Sequence, residues 1–302
     1  MFDVIGFGAL NIDKLFTVNR IAKEEEESFI TRCAESCGGS AANTAVALAR
    51  FGCHVGYIGK VGPDIEGKKL VEDLCREGVD TCGVIYAAEG RSGVVMGFVD
   101  VHGARALYIS SGVNDTVKFE EVNVAYASQT RFLHLTSFVG EESFCSQEKL
   151  IEAVPASVKI SFDPGSLYAR RGFSQLEHII RRTYVMMPNA LEAELLTGEK
   201  DYVKAANRLI RSGVRIVAVK LGSKGCYVTD GKDGKLVAPF QVEVVDTTGA
   251  GDAFCAGFLY GLLKNRSLYE CGKLGNFVAS RCIMKTGARA GLPFRTDLEF
   301  LS

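Results

Sequence analysis

Short apolar runs alternate with longer amphipathic stretches along this chain, the pattern of a mostly parallel sheet whose strands are joined by helices. MFDVIGFG reads as a first buried strand, and AANTAVALARFG as a helix ended by Gly52. HVGYIGKVG follows as a strand, EGKKLVEDLCREG as a helix, and RFLHLTSF and VKISFDPG as further strands. YVMMPNALEAELLTG runs from strand into helix, and VRIVAVKLGSKGCYVTD supplies two strands with a turn at Gly222 to Gly225. The strand-like FQVEVV comes next. A helix then begins near Gly251, and SLYECGKLGNFVASRCIMKTG makes a last helix.

Two stretches break this rhythm. FTVNRIAKEEEESFITRCAES and RSGVVMGFVDVHGARALYISSGVN alternate apolar and polar residues, as half-exposed antiparallel strands do. The second predicts a hairpin turning at His102-Gly103. Both lie where the chain has just left the main sheet, so they predict a small separate sheet that covers a site or pairs with another subunit.

Composition narrows the classes. The chain has 302 residues, is 47% hydrophobic and carries a net charge of −1, enough for one large domain with a substantial core. Near-neutral charge gives no electrostatic case for nucleic acid or an anionic membrane. The acidic run Glu24 to Glu27 reads as a solvated loop. No apolar run approaches the roughly 20 residues that span a bilayer. The amino terminus opens directly into the first strand, which predicts a cytoplasmic protein. Ten cysteines occur without a C-x-x-C pair, and His54, His102, His134 and His178 fall in no metal-ligand spacing. Most of these cysteines lie in apolar segments, where a free thiol behaves as a small buried hydrophobe.

Two glycine patterns imitate phosphate loops. GFGALN, Gly6 to Asn11, has Asn11 where a dinucleotide fingerprint needs its third glycine, and no helix follows. GPDIEGKK, Gly62 to Lys69, ends on Lys69 where a hydroxyl is needed for magnesium, and Pro63 removes a backbone donor. A helix-entry turn is the better reading of the second.

VVDTTGAGDAF differs from both. Gly249, Ala250 and Gly251 carry almost no side chain, so the N–H groups at the start of the following helix stay open to a ligand. A helix amino end carries unpaired donors and roughly +0.5 charge, a ready anion site. Ordinary capping by Thr247 or Thr248, with Asp252 as a first-turn acid, is the plainer alternative. Capping alone does not require two glycines, each costing about 1 kcal/mol in a helical turn. A carboxylate inside an anion cradle suits phosphoryl transfer: the donors stabilise charge on the phosphoryl group and Asp252 accepts the proton of an incoming alcohol.

DTTGAGDAF resembles the carboxy-terminal signature of the ribokinase, or PfkB-type carbohydrate kinase, family. CGGSAANTAVALARFG, from Cys37 to Gly52, resembles the family's amino-terminal signature, and GALNID at Gly8 to Asp13 its substrate-contact motif. PNALE at Pro188 to Glu192 resembles its N-x-x-E motif, and KLGSKG at Lys220 to Gly225 its nucleotide-loop segment. The resemblance covers essentially the whole chain. It implies an α/β fold: a ribokinase-like three-layer sandwich, one domain over 1–302, with a mostly parallel central sheet flanked by helices. A small β-sheet lid, from segments near 14–37 and 91–113, would complete it.

The resemblance also implies roles. Asp252 would be the catalytic base, with Gly249, Ala250, Gly251 and the Asp252 amide as the anion hole. Asn11, Asp13, Gly39 and Asn43 would hold substrate hydroxyls, a task suited to a carboxylate beside mixed donor-acceptor amides. Gly38-Gly39 would be the hinge on which the lid closes to exclude water. Asn189 and Glu192 would sit near the phosphates of ATP, Glu192 placing Mg2+ through water, although the pair also imitates a capping box. Lys220, Gly222, Ser223 and Gly225 would border the nucleotide, and Asn276 would lie near the adenine. The backbone around Asp246 and Thr248, with the late TGARAG loop, resembles the monovalent-cation site at which K+ activates some members. A homodimer through the lid is expected from its exposed alternating strands and the family's habit.

Two departures keep the acceptor open. Ser40 stands where ribokinases proper have lysine, and Gly165 replaces the asparagine usual in sugar-acid kinases. Arg170 and Arg171 would meet an anionic substrate or form a solvated helix face. A sugar, a nucleoside or a sugar phosphate all fit, a nucleoside needing an apolar shelf such as Phe16, Phe98 or Phe138. The contrasting function is a catalytically silent sugar- or nucleotide-binding protein on the same fold.

Overall fold

The structure is a computed structural model and describes residues 1–102 and 104–301. The chain opens with β1 (Phe2–Phe7), β2 (Asn11–Val18), β3 (Ile30–Gly38), α1 (Ser40–Arg50), β4 (Val55–Val61), α2 (Ile65–Arg76) and β5 (Asp80–Tyr86). It continues with β6 (Gly93–Asp100), β7 (Arg105–Ser110), α3 (Val124–Ala127), β8 (Thr130–Thr136), α4 (Glu141–Ala153) and β9 (Lys159–Asp163). Next come α5 (Gly165–Ala169), α6 (Phe173–Arg182), β10 (Thr183–Met186), α7 (Ala190–Thr197), α8 (Tyr202–Arg211) and β11 (Ile216–Lys220). The last elements are β12 (Cys226–Thr229), β13 (Gly234–Val237), α9 (Ala250–Leu263) and α10 (Leu268–Cys282).

Among the described residues, nine strands form the main sheet in the order β13-β12-β11-β10-β9-β8-β1-β4-β5. It is parallel from β5 to β11, and antiparallel where β11 meets β12 and β12 meets β13. Period-two alternation sends each strand's side chains to two cores. In β11, Ile216 and Ala218 join α1, α9 and α10 on one face, while Val217 and Val219 join α4, α6 and α8 on the other. This is the sandwich expected from the alternation of apolar runs.

A second sheet, ordered β3-β2-β6-β7, stands apart from the main one. Strand β2 pairs antiparallel with β3 and parallel with β6, and β6 pairs antiparallel with β7. The expected hairpin is present: the Asp100 carboxylate accepts the N–H groups of His102 and Ala104, each at 2.9 Å. Gly103, named for its turn, lies outside the described residues.

Two expectations and one alternative need correction. FQVEVV forms no strand; Phe240, Gln241, Val242 and Val244 instead line a cavity, and Val244 and Val245 are exposed. The strand-like alternation goes unused there, because among the described residues no strand pairs with this segment. Nor are most cysteines buried. Cys226, Cys255, Cys271 and Cys282 are, but Cys33, Cys75 and Cys82 are exposed, and all ten are free. Finally, α9 takes no side-chain cap from Thr247 or Thr248; its cap is Gly249 at φ 77°. The turn at Gly62 to Lys69 does enter a helix, with the Asp64 carboxylate accepting the Gly67 N–H at 2.8 Å. Among the described residues no helix is long and apolar enough to cross a membrane.

Candidate active site

Two cavities meet at the start of α9, one of about 590 Å³ and one of about 360 Å³. Ser40, Thr247, Ala250, Gly251 and Asp252 line both. Only glycine suits the turn that makes this seam. A Cβ on Gly249 would come within 2.7 Å of the Ala288 Cα, and its left-handed φ already disfavours other residues. The Ala250 N–H bonds the Thr247 carbonyl at 3.2 Å, and the Ala253 N–H bonds the Gly249 carbonyl at 2.9 Å. Of the four N–H groups expected in the anion hole, those of Gly249, Gly251 and Asp252 then have no hydrogen-bond partner among the described residues.

Asp252 is held from α1. Its Oδ2 accepts Asn43 Nδ2 at 2.8 Å, and its main-chain oxygen accepts the Thr44 hydroxyl at 3.1 Å. Burial pushes its carboxyl up to about 7, with Asp163 adding to the rise; the hydrogen bond from Asn43, Lys220 and Ser40 oppose it. A carboxylate titrating near neutrality is a competent proton acceptor.

The smaller cavity is lined by the expected acceptor-side residues Asn11, Asp13, Gly39 and Asn43. Asn114 orients Asn11, donating to its Oδ1 at 3.0 Å and to the Leu10 carbonyl at 2.8 Å. Gly38 sits behind Asp13, whose carboxylate fills the place a Cβ would take. Gly39 has φ 108°, and a Cβ there would overlap the Ala9 carbonyl oxygen. Leu15, Val95, Gly97 and Leu107, from the small sheet, close the far wall. Among the described residues no aromatic side chain lines this cavity. Phe138 is instead buried edge-on against Phe7 at 5.5 Å, and Phe16 and Phe98 stack on each other at 5.1 Å. Alternation along β2 turns Phe16 away from the face that carries Asp13 and Leu15.

The larger cavity gathers Asn189, Glu192, Lys220, Gly222, Ser223, Gly225 and Asn276, as expected for the nucleotide side. The capping box is real: Asn189 N–H donates to Glu192 Oε2 at 2.8 Å, and Glu192 N–H to Asn189 Oδ1 at 2.9 Å. Asn276 spends its NH2 on the carbonyls of Val237 and Ala238, at 3.1 and 3.0 Å. Lys220 Nζ pairs with Asp163 Oδ2 at 2.7 Å. Burial alone would lower the Lys220 ammonium, but the Asp163 carboxylate, together with Cys255 and Glu192, outweighs it and pushes it up. Burial, then Asp163, raises the Glu192 carboxyl. Asp163, at the end of β9, was not singled out from sequence. An aspartate closing a parallel strand at the sheet's carboxyl edge was the available signal.

Asp246 and Thr248 border the smaller cavity. Asp246 Oδ1 accepts the Thr248 N–H and hydroxyl at 3.0 and 2.8 Å, and its Oδ2 accepts the Gly287 N–H at 2.8 Å, tying this turn to the TGARAG loop. Arg171 does not face either cavity; it pairs with Glu141 at 2.6 Å over the Phe144 ring, and Arg170 is exposed.

The sequence pattern of the pfkB family carbohydrate kinases matches residues 1–295. The chain belongs to that family. An uncharacterized sugar kinase of Archaeoglobus fulgidus is 51% identical over 83% of this chain and 99% of its own. An ATP-dependent ribose-1-phosphate kinase of Halopiger xanaduensis is 34% identical over 100% of this chain and 99% of its own. The crystal structure of ribokinase from Thermotoga maritima superposes with a TM-score of 0.89 at 26% identity, over 100% of this chain and 99% of that one. This pfkB-family chain is therefore a sugar or nucleoside kinase with the ribokinase fold, a phosphotransferase.

Proposed function

We propose that the chain transfers the γ-phosphoryl group of ATP to a hydroxymethyl group of a sugar or nucleoside, with Asp252 as general base. The observation that carries this reading is the place of Asp252, where the two cavities meet, at the head of α9 and within 2.8 Å of Asn43. An acceptor hydroxyl in the smaller cavity gives its proton to the Asp252 carboxylate while its oxygen attacks the terminal phosphorus. The bond from phosphorus to the bridging oxygen breaks, and ADP leaves on the Lys220 side. The N–H groups of Gly251 and Asp252 stabilise charge on the transferring group.

A divalent cation fits the larger cavity. Asp163 Oδ1 is buried without a hydrogen-bond partner among the described residues, and the Glu192 carboxyl lines the same space. Mg2+ placed there through water, mainly by Glu192, would neutralise phosphate charge. Asn189 would help to hold the phosphates. The Asp246–Thr248 turn with the Gly287 loop is the corresponding place for K+, acting on the base of the anion hole.

The small sheet serves in this reading as a lid hinged at Gly38-Gly39, within a single domain. Its outer face carries Phe98, Ile30 and Tyr108 beside a cavity of about 310 Å³, and Ile30 and Tyr108 are exposed. We assign that face to a homodimer; light scattering that finds a monomer at micromolar concentration refutes the assignment.

ADP release from ATP-magnesium, with and without potassium, against sugars, sugar phosphates and nucleosides tests the reaction. Asp252→Asn is expected to keep nucleotide affinity while turnover falls about 10²–10⁴-fold. A variant that keeps most of its activity removes Asp252 as the base. A wild type silent on every acceptor, yet still binding ATP, favours the binding-protein alternative.

A further inference from the structure

Arg289 lines neither cavity, yet its side chain is only 11% exposed and touches the wall of the smaller one through Asn43. Its Nε donates to Asn43 Oδ1 at 2.8 Å, and its Nη1 pairs with Asp73 of α2. Arg50 secures the loop that carries it: Arg50 Nη1 donates to the Arg289 carbonyl at 2.8 Å, while Nε and Nη2 grip Glu77 at 2.8 and 2.6 Å. Asn43 therefore spends its carbonyl oxygen on Arg289 and its NH2 on Asp252.

We infer that Arg289 is a positioning residue: braced by Asp73, it fixes the Asn43 amide so that Nδ2 faces the Asp252 carboxylate. Flipping that amide would set its NH2 against a guanidinium and its oxygen against a carboxylate, replacing two attractions by two repulsions. Arg289 Nη2 is buried without a partner among the described residues. An unsatisfied buried donor is costly, so the fork is aimed by Asn43 and Asp73 at the expense of its third nitrogen. The four side chains come from α2, the carboxy-terminal loop, α1 and α9, and they couple the first turn of α9 to distant parts of the chain.

The consequence for catalysis rests on Asp252 being the base, since the Asn43 bond favours its ionised form. The other groups bearing on Asp252 are Ser40 of α1, Asp163 and Lys220 from the strand ends, Tyr57 of β4, Cys255 of its own helix and Cys282 of α10. None of these touches Arg289 by a hydrogen bond. Removing the Arg289 contact should act on Asp252 through Asn43.

The test is a pH titration by NMR of intact protein carrying 13C in its Asp and Asn side-chain carbonyls, without substrate. The Asp252 signal is identified by its loss in Asp252→Asn. Arg289→Met and Arg289→Lys are both expected to raise the Asp252 midpoint by about one pH unit. The Asn43 side-chain NH2 signals are expected to shift or broaden in both. Lysine keeps the charge but cannot bridge Asn43 and Asp73 as the planar fork does. A lysine variant that titrates like wild type refutes positioning and leaves only charge; no shift in either variant refutes it outright. If Arg289→Met fails to fold, the lysine variant decides alone. No turnover is needed, so this result is independent of whether Asp252 proves to be the base.

Discussion

Replacing Lys220 by methionine should destabilise the chain out of proportion to one lost side chain. Lys220 and Asp163 stand 2.7 Å apart with side-chain exposures of 13% and 9%. At an effective dielectric constant of about 20 their attraction is about 6 kcal/mol, most of which offsets the cost of taking both charges out of water. Methionine removes the attraction and leaves the Asp163 cost. Among the described residues the carboxylate would keep only the Cys255 thiol on Oδ2, at 3.3 Å, and nothing on Oδ1. Loss of one partner of such a pair costs about 3–5 kcal/mol. Unfolding entropy of about 2.1 cal/mol/K per residue gives about 0.63 kcal/mol/K for 302 residues, so the Tm should fall by roughly 5–8 °C. Differential scanning calorimetry at pH 7.5 measures it. The double variant Lys220→Met, Asp163→Leu should recover most of the loss, since both buried charges are then gone. A single variant within 1 °C of wild type, or a double variant worse than the single, refutes the argument.

Asp252→Asn should also change stability with a defined pH dependence. The native carboxyl lies at about 7 against an ordinary 3.8, so the native state binds the proton more tightly and the wild type loses stability as pH rises from about 4 through 7. The asparagine variant lacks this loss, and chemical denaturation should find the two equal near pH 4 and the variant about 4 kcal/mol more stable above pH 8; a gap that does not grow with pH contradicts the burial argument. Gly249→Ala and Gly222→Ala separate backbone strain from crowding. Both positions have positive φ, but an added Cβ meets the Ala288 backbone at Gly249 and nothing within 4 Å at Gly222. Gly222→Ala should cost about 1–2 kcal/mol and Gly249→Ala about 1–3 kcal/mol more, read from urea midpoints; equal losses would show that Ala288 yields.

The site was legible where its chemistry is local. Asn189 and Glu192 cap each other three residues apart, Asp64 caps α2 through the Gly67 N–H, and Gly249, Gly251 and Asp252 sit in one turn, so a short window of sequence holds each of these motifs. The alternation of buried strands and amphipathic helices likewise carried the sandwich and the separate small sheet, because each element must turn an apolar face to a core. Aromatic residues misled for the opposite reason. Phe138 and the Phe16–Phe98 stack are apolar enough for a shelf, but which cavity an aromatic ring meets depends on how sheets are packed.

Sequence alone determined the fold class, the family and the turn that presents Asp252, since those follow from residue type and spacing along the chain. Tertiary structure alone decided what surrounds that carboxylate. Asp163 meets Lys220 across 57 positions, Asn43 meets Asp252 across 209, and Arg289 meets Asn43 across 246. FQVEVV has the pattern of a strand but, among the described residues, no strand beside it, and becomes a cavity wall. Periodicity records which way a side chain faces relative to its own element; a charge's partner and a strand's neighbour are supplied by other elements, and exist only once the layers have packed.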